Sequence, residues 1–268
     1  MARRPQCSNW LTRRIKLTVA YDGTDFCGWA AQLGQRTVQG TLTEAVRQVS
    51  GEDCEIVGAS RTDGGAHARG QVAHFDSGVA LPIERWANVL NRVLPADLRI
   101  VQAEVVKATF NSRFSAGDRH YRYAIAKHDS DPFLIRTAFG QRREMNVGPM
   151  REAGARLVGT HDFKAFTEEL DPWIENTVRR LFSVKVVEKR ETVCIDVVGT
   201  AFLRGMMRRI AGCLYEIGIG RRDVADVEAL LDLSRRESIQ GPVVLPACGL
   251  TLMRIRYGRW PRDNRNGD

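Results

Sequence analysis

Ile15, Leu17, Val19 and Tyr21 alternate with Lys16, Thr18 and Ala20. A period of two places the four larger side chains on one face and predicts a half-buried strand over 14–21. A turn-rich stretch, DGTDFCGW, follows. Val38, Leu42, Ala45, Val46 and Val49 then recur at helical spacing. Glu55–Ala59 and Gln71–Asp76 predict strands on either side of a Gly-rich loop. Pro82 suits the first turn of a helix, whose apolar stripe is Ile83, Trp86, Val89, Leu90 and Val93. Leu98–Val106 predicts another strand.

The second half repeats this mixture without repeating its sequence. Arg119–Ile125 alternates, with Tyr121, Tyr123 and Ile125 on one face. Met150, Ala153 and Leu157 suit a helix. Thr177–Val187 and Thr192–Val198 predict paired strands. Phe202–Ile217 predicts an amphipathic helix, Val224–Leu233 a further one, and Leu250–Tyr257 a closing strand. The tail WPRDNRNGD has no periodicity and is expected to be disordered. Interspersed helices and hairpin-like strands predict an α+β fold: two similar lobes of mixed, mainly antiparallel sheet with helices packed on them. The expected domains are 1–110 and 111–268, joined near 107–112. A cleft between such lobes is a natural binding site.

The chain has 268 residues, enough for a sizeable core, and 43% of them are hydrophobic. No apolar run approaches the roughly 18 residues that span a bilayer. The N-terminus, MARRPQCSNWLTRR, lacks the apolar segment of a secretory signal. A soluble cytoplasmic protein, with no membrane partner, is expected. The net charge of +8 favours a polyanionic partner, nucleic acid ahead of a membrane surface. Arginine carries most of it, in pairs such as Arg179–Arg180, Arg208–Arg209 and Arg221–Arg222. Guanidinium groups fork onto phosphate and stack on bases. The six cysteines form no CxxC pair, and no His falls at zinc-finger spacing. They read as small buried thiols in a reducing compartment.

The stretch most relevant to chemistry is GASRTDGGAHARGQVAHFD, Gly58 to Asp76. Gly64 and Gly65 let the backbone turn sharply or approach a ligand closely. Arg61 and Asp63 could project together from this loop. On spacing alone a plain turn with a local Arg–Asp ion pair is favoured over a catalytic loop. Asp63 with Asp76 could also serve as the acid pair of a glycosidase, a weak signal in a chain rich in acids. For His67 and His74, a satisfied structural histidine is the simpler reading. No P-loop, G-x-S-x-G elbow or GxGxxG in a strand–helix context is present.

Taken as a set, these stretches resemble one family. RTDGGAHARGQVAHFD is similar to the RTDAGVHA-x-GQV-x-HF signature of TruA-type tRNA pseudouridine synthases. YDGTDFCGW with RTVQGTL, NRVLPADLRI, FNSRFSAGDRHYRY, GTHDFKAFT, NTVRRL, FLRGMMRRIAG and GPVVLPACGLTL follow that family's motifs in order. The resemblance runs from about Arg14 to Tyr257. The chain departs from the pattern at Ala30, where Gln is usual. Ser60, Gly64 and Ala66 replace the usual Gly, Ala and Val. Arg204 stands where His or Tyr is common, and Val243 and Leu245 alter the usual GPTAPA run.

The resemblance implies an isomerase that exchanges the C1′–N1 bond of uridine for a C1′–C5 bond at positions 38, 39 and 40 of the tRNA anticodon arm. Such an isomerisation requires no cofactor or metal in principle. The resemblance assigns Asp63 as catalytic carboxylate and nucleophile, leaving open whether it acts on C1′, the uracil ring or a sugar proton. It assigns Arg208 as the cation paired with Asp63, and Arg209 is left with plain phosphate binding. Tyr121 is the tyrosine that stacks on the base and assists proton movement, while Tyr123 reads as core. Leu250 packs against the flipped base and Arg61 holds the extruded nucleotide. The implied partners are tRNA and a second copy of the chain, as a homodimer. Two other classes are weighed: a non-catalytic tRNA-binding or folding protein on the same scaffold, and a two-carboxylate carbohydrate hydrolase, which the basic excess of the chain speaks against.

Overall fold

The computed structural model describes residues 12–127, 131–167, 176–235 and 238–258. The polar tail expected to be disordered lies outside them. Strand β1 (Arg13–Tyr21) follows the predicted alternation: Ile15, Leu17 and Val19 are fully buried and Tyr21 nearly so. Helix α1 (Val38–Ser50) is started by the Thr37 side chain, which accepts from the Gly40 amide, and stopped by Gly51 in a left-handed conformation. Val38, Leu42, Ala45 and Val46 form its buried face. Strand β2 is only Val57–Gly58, and β3 (His67–Ser77) is longer than the alternation implied. Nearly every position of β3 is buried, so no polar–apolar alternation marks where it begins. Helix α2 (Ile83–Val93) buries Trp86 and Leu90, with Pro82 just outside the first turn. Strand β4 (Leu98–Val106) completes the first half.

In the second half come β5 (Ala116–Ala126), β6 (Phe139–Gly140), α3 (Val147–Arg156), β7 (Gly159–Asp162), β8 (Val178–Glu188) and β9 (Thr192–Gly199). Helices α4 (Met206–Gly218) and α5 (Asp226–Leu231) and strand β10 (Leu250–Tyr257) follow. The helix predicted from Phe202 begins four residues later. Gly205 stands before α4 at φ 68 and turns the chain there. Phe202 and Leu203 therefore belong to the loop, and Phe202 packs edge-on to Tyr121.

The architecture is α+β: one large mixed sheet with a few helices. The main strand order is β4-β1-β3-β10-β5-β9-β8-β7, with β2 paired to β3 and β6 to β5. Neighbours along the main path are antiparallel except β10 with β3, which run parallel. The last strand among the described residues is thus inserted between an early strand and a middle one. Helix α2 packs on β4 and α1, while α3 packs on β8 and α4. Together these helices cover the apolar faces of the sheet.

Candidate active site

The loop between β2 and β3 carries Asp63 and is pinned on two sides. From the loop after β1, the Trp29 amide donates to Thr62 O at 3.1 Å, and the Gly65 amide donates to Phe26 O at 3.1 Å. From β3, fully buried Gln71 grips Ser60: its Nε2 donates to Ser60 O at 2.7 Å, and its Oε1 accepts from the Ser60 amide at 3.2 Å. The Tyr21 hydroxyl bonds Thr62 Oγ1 at 2.8 Å. Gly65, at φ 79, makes the sharp turn, and the Ala66 amide closes it onto Asp63 O at 3.1 Å.

Beside this loop α4 presents Arg208. Its Nη1 donates to Asp63 Oδ2 at 3.2 Å, and its Nε donates to Leu245 O at 2.7 Å. The guanidinium is therefore not forked onto the carboxylate. It divides itself between the carboxylate and a backbone carbonyl, which fixes its direction. Both side chains are partly exposed, as a pair that must meet a ligand requires. They open into a pocket of about 340 Å³ lined by Cys27, Trp29, Ala30, Arg61, Asp63 and Arg204, among others. Three arginines, Arg61, Arg204 and Arg208, and one carboxylate line it, so the pocket favours an anionic ligand.

Arg61 does not form the local ion pair with Asp63. It stands exposed, with no hydrogen-bond or ion-pair partner among the described residues. Tyr121 does not line the pocket. It is 5% exposed, its ring lies 4.8 Å from that of Phe202, and its hydroxyl bonds Ser60 Oγ at 2.5 Å. Burial pushes the Tyr121 phenol up, against the Ser60 bond and the Arg119 charge, and the Asp63 carboxylate adds to the rise. Leu250, also 5% exposed, begins β10 opposite Tyr123. The structure thus gathers Asp63, Arg208 and Arg61 around one pocket, with Tyr121 joined through Ser60 to the loop that carries Asp63. Leu250 is buried in the adjoining strand.

Tyr123 is core, and its hydroxyl donates to Pro246 O at 2.7 Å. His67 and His74 are satisfied structural histidines. His67 accepts from the Gly23 amide at 3.0 Å and meets Cys248 O at 3.1 Å. His74 Nδ1 accepts from the Ser112 amide at 3.2 Å. Arg209, expected to bind phosphate, donates to Pro242 O at 2.8 Å and holds the backbone there. Asp76 is paired with Arg14 at 2.6 Å near the end of β3. Asp76 does not line the pocket that holds Asp63, so the two do not stand together as a glycosidase acid pair. Sequence reasoning missed the pocket walls at Cys27 and Trp29 and the buried clamp at Gln71. Its one signal for the walls was that DGTDFCGW is turn-rich.

A sequence profile described as tRNA pseudouridine synthase matches residues 17–115 and 153–258. The chain belongs to this family. It is 40% identical to the tRNA pseudouridine synthase A of Geobacter sp. (strain M21), over 91% of this chain and 99% of that one. It is 38% identical to the tRNA pseudouridine synthase A of Brevibacillus brevis, over 91% and 100%. The same identity holds with the Bacillus subtilis protein of that name, over 91% and 99%. Against the family pattern, the unusual residues Ala30, Gly64 and Arg204 all line the pocket, and Ser60 touches Tyr121. Of the seven departures noted in the sequence, three therefore line the pocket, while Ser60, Ala66, Val243 and Leu245 do not.

Proposed function

We propose that the protein isomerises uridine to pseudouridine in the anticodon arm of tRNA, at positions 38, 39 and 40. The observation that carries this is the contact between Asp63 and Arg208, which are 145 residues apart, inside a basic pocket of a family member. Arg208 gives the carboxylate a cationic partner and fixes its direction. Asp63 is then the group that acts on the uridine. The target nucleotide leaves the stack to reach it, Arg61 grips the extruded nucleotide, and Tyr121 and Leu250 contact the base. Both buried side chains must then become accessible as the base enters. Tyr121 in addition assists proton movement at C5.

Residues 1–110 and 111–268 act as two lobes on this proposal. The first supplies Asp63 and Arg61 to the pocket, and the second supplies Arg204 and Arg208. The working form is a homodimer in the cytoplasm. Among the described residues no helix is long and apolar enough to cross a membrane.

Incubation with unmodified tRNA, followed by mapping of pseudouridine, tests the activity. Product in the anticodon arm is expected. Asp63→Asn lowers the single-turnover rate on the order of a thousandfold or more, with tRNA affinity within about threefold, the change expected when a group outside the phosphate grip is altered. Tight tRNA binding without product in the wild type would instead favour the non-catalytic reading.

A further inference from the structure

Ser60 occupies a position where the family pattern carries glycine, and its hydroxyl makes a contact that glycine cannot make. Ser60 Oγ lies 2.5 Å from Tyr121 Oη, at the short end of hydroxyl hydrogen bonds. The Ser60 side of this contact is anchored. Gln71, fully buried, holds both the amide and the carbonyl of Ser60. Its Oε1 also accepts from the Val72 amide at 3.1 Å, so the Gln71 side chain is itself anchored to β3. With the backbone fixed, a serine hydroxyl has only a few staggered positions to choose from. On the other side, the Tyr121 ring is wedged against Phe202 and belongs to the central strand β5.

We propose that Ser60 is a positioning residue for the reaction: its hydroxyl holds the oxygen of Tyr121 in place relative to Asp63. This rests on the proposed isomerase activity, in which Tyr121 assists proton movement at the uracil ring. Ser60 and Asp63 stand three residues apart on one pinned loop. The loop that aims the carboxylate therefore also fixes the phenol. Carboxylate and phenol keep their register when the base enters, because one rigid segment touches both. A phenol free to swing would reach the reacting carbon in a smaller share of bound complexes, which costs rate and not affinity.

Three variants test the inference: Ser60→Ala, Ser60→Gly and Ser60→Thr. Glycine is the residue of the family pattern, so that variant is expected to fold. Single-turnover rates are measured at saturating tRNA, and tRNA dissociation constants by filter binding. Alanine and glycine are expected to lower the rate roughly tenfold to a hundredfold with the dissociation constant within about twofold of wild type. Threonine, which keeps a hydroxyl, restores most of the rate. Wild-type rates in both Ser60→Ala and Ser60→Gly would overturn the positioning role. So would a loss confined to tRNA affinity, or a threonine variant as slow as alanine. A wild-type protein that makes no pseudouridine would remove the isomerase activity itself, a failure visible before any Ser60 variant is compared.

Discussion

Arg208 works through two separate contacts, Nη1 on Asp63 and Nε on Leu245 O. A lysine would keep the charge but has no planar fork to satisfy both. Arg208→Lys is therefore expected to lower kcat about tenfold to a hundredfold, the size of one lost charge-assisted hydrogen bond. Steady-state kinetics on anticodon-arm tRNA checks it, and unchanged kcat would mean that charge alone suffices. His74 offers a second test, of stability. Burial, helped by the Arg14 charge, holds its imidazole below the ordinary 6.5, while Asp76 and Glu55 pull the other way. Its Nδ1 accepts from the Ser112 amide and so must be unprotonated. A group with a depressed folded pKa stabilises fully above its unfolded value and loses that contribution as pH falls through the folded one. Denaturant midpoints should decline from pH 7.5 to pH 5.5, and His74→Gln should flatten that slope. Candidate site residues were legible where a motif carried them, as with Asp63. The Ser60 contact was not, because it joins positions 61 residues apart.

Helix α4 and the segment 242–246 act together. Arg209 holds Pro242 O, Arg208 holds Leu245 O, and Tyr123 holds Pro246 O. Gly212 lets the helix lie directly against this segment, since a Cβ there would come 1.9 Å from Val243 O. Gly212→Ala is expected to destabilise the protein by about 1–3 kcal/mol through overpacking. That corresponds to a Tm fall of several degrees at roughly 2–4 °C per kcal/mol, readable by thermal melts. Activity should fall as well, because the carbonyl that orients Arg208 moves. The helical stripes of α1 and α2 and the alternation of β1 and β5 were readable, since each buries one face. The short β6 and β7 and the true start of α4 were not. The first two have too few residues to show a period, and the last depends on the conformation of one glycine.

At the scale of the molecule, β10 binds the two halves of the chain by pairing parallel to β3 and antiparallel to β5. The net charge of +8 acts at the same scale. Binding to tRNA is expected to weaken by at least roughly tenfold between 50 and 200 mM salt, as released counterions cease to favour the complex. The Asp63→Asn variant should show the same slope. A salt-independent dissociation constant would show that phosphates contribute little to the grip.

Hydrophobic periodicity was enough to determine which faces are buried and that helices and strands intermix. The order of motifs was enough to determine the family and to single out Asp63. Only the tertiary structure decided which strands are neighbours, that Arg208 divides its fork, that Arg61 stands apart from Asp63, and that Ser60 meets Tyr121. The physical reason is that a local pattern states how much of a side chain must leave water but not against what. The partner is chosen by packing and hydrogen bonds between segments far apart in the chain.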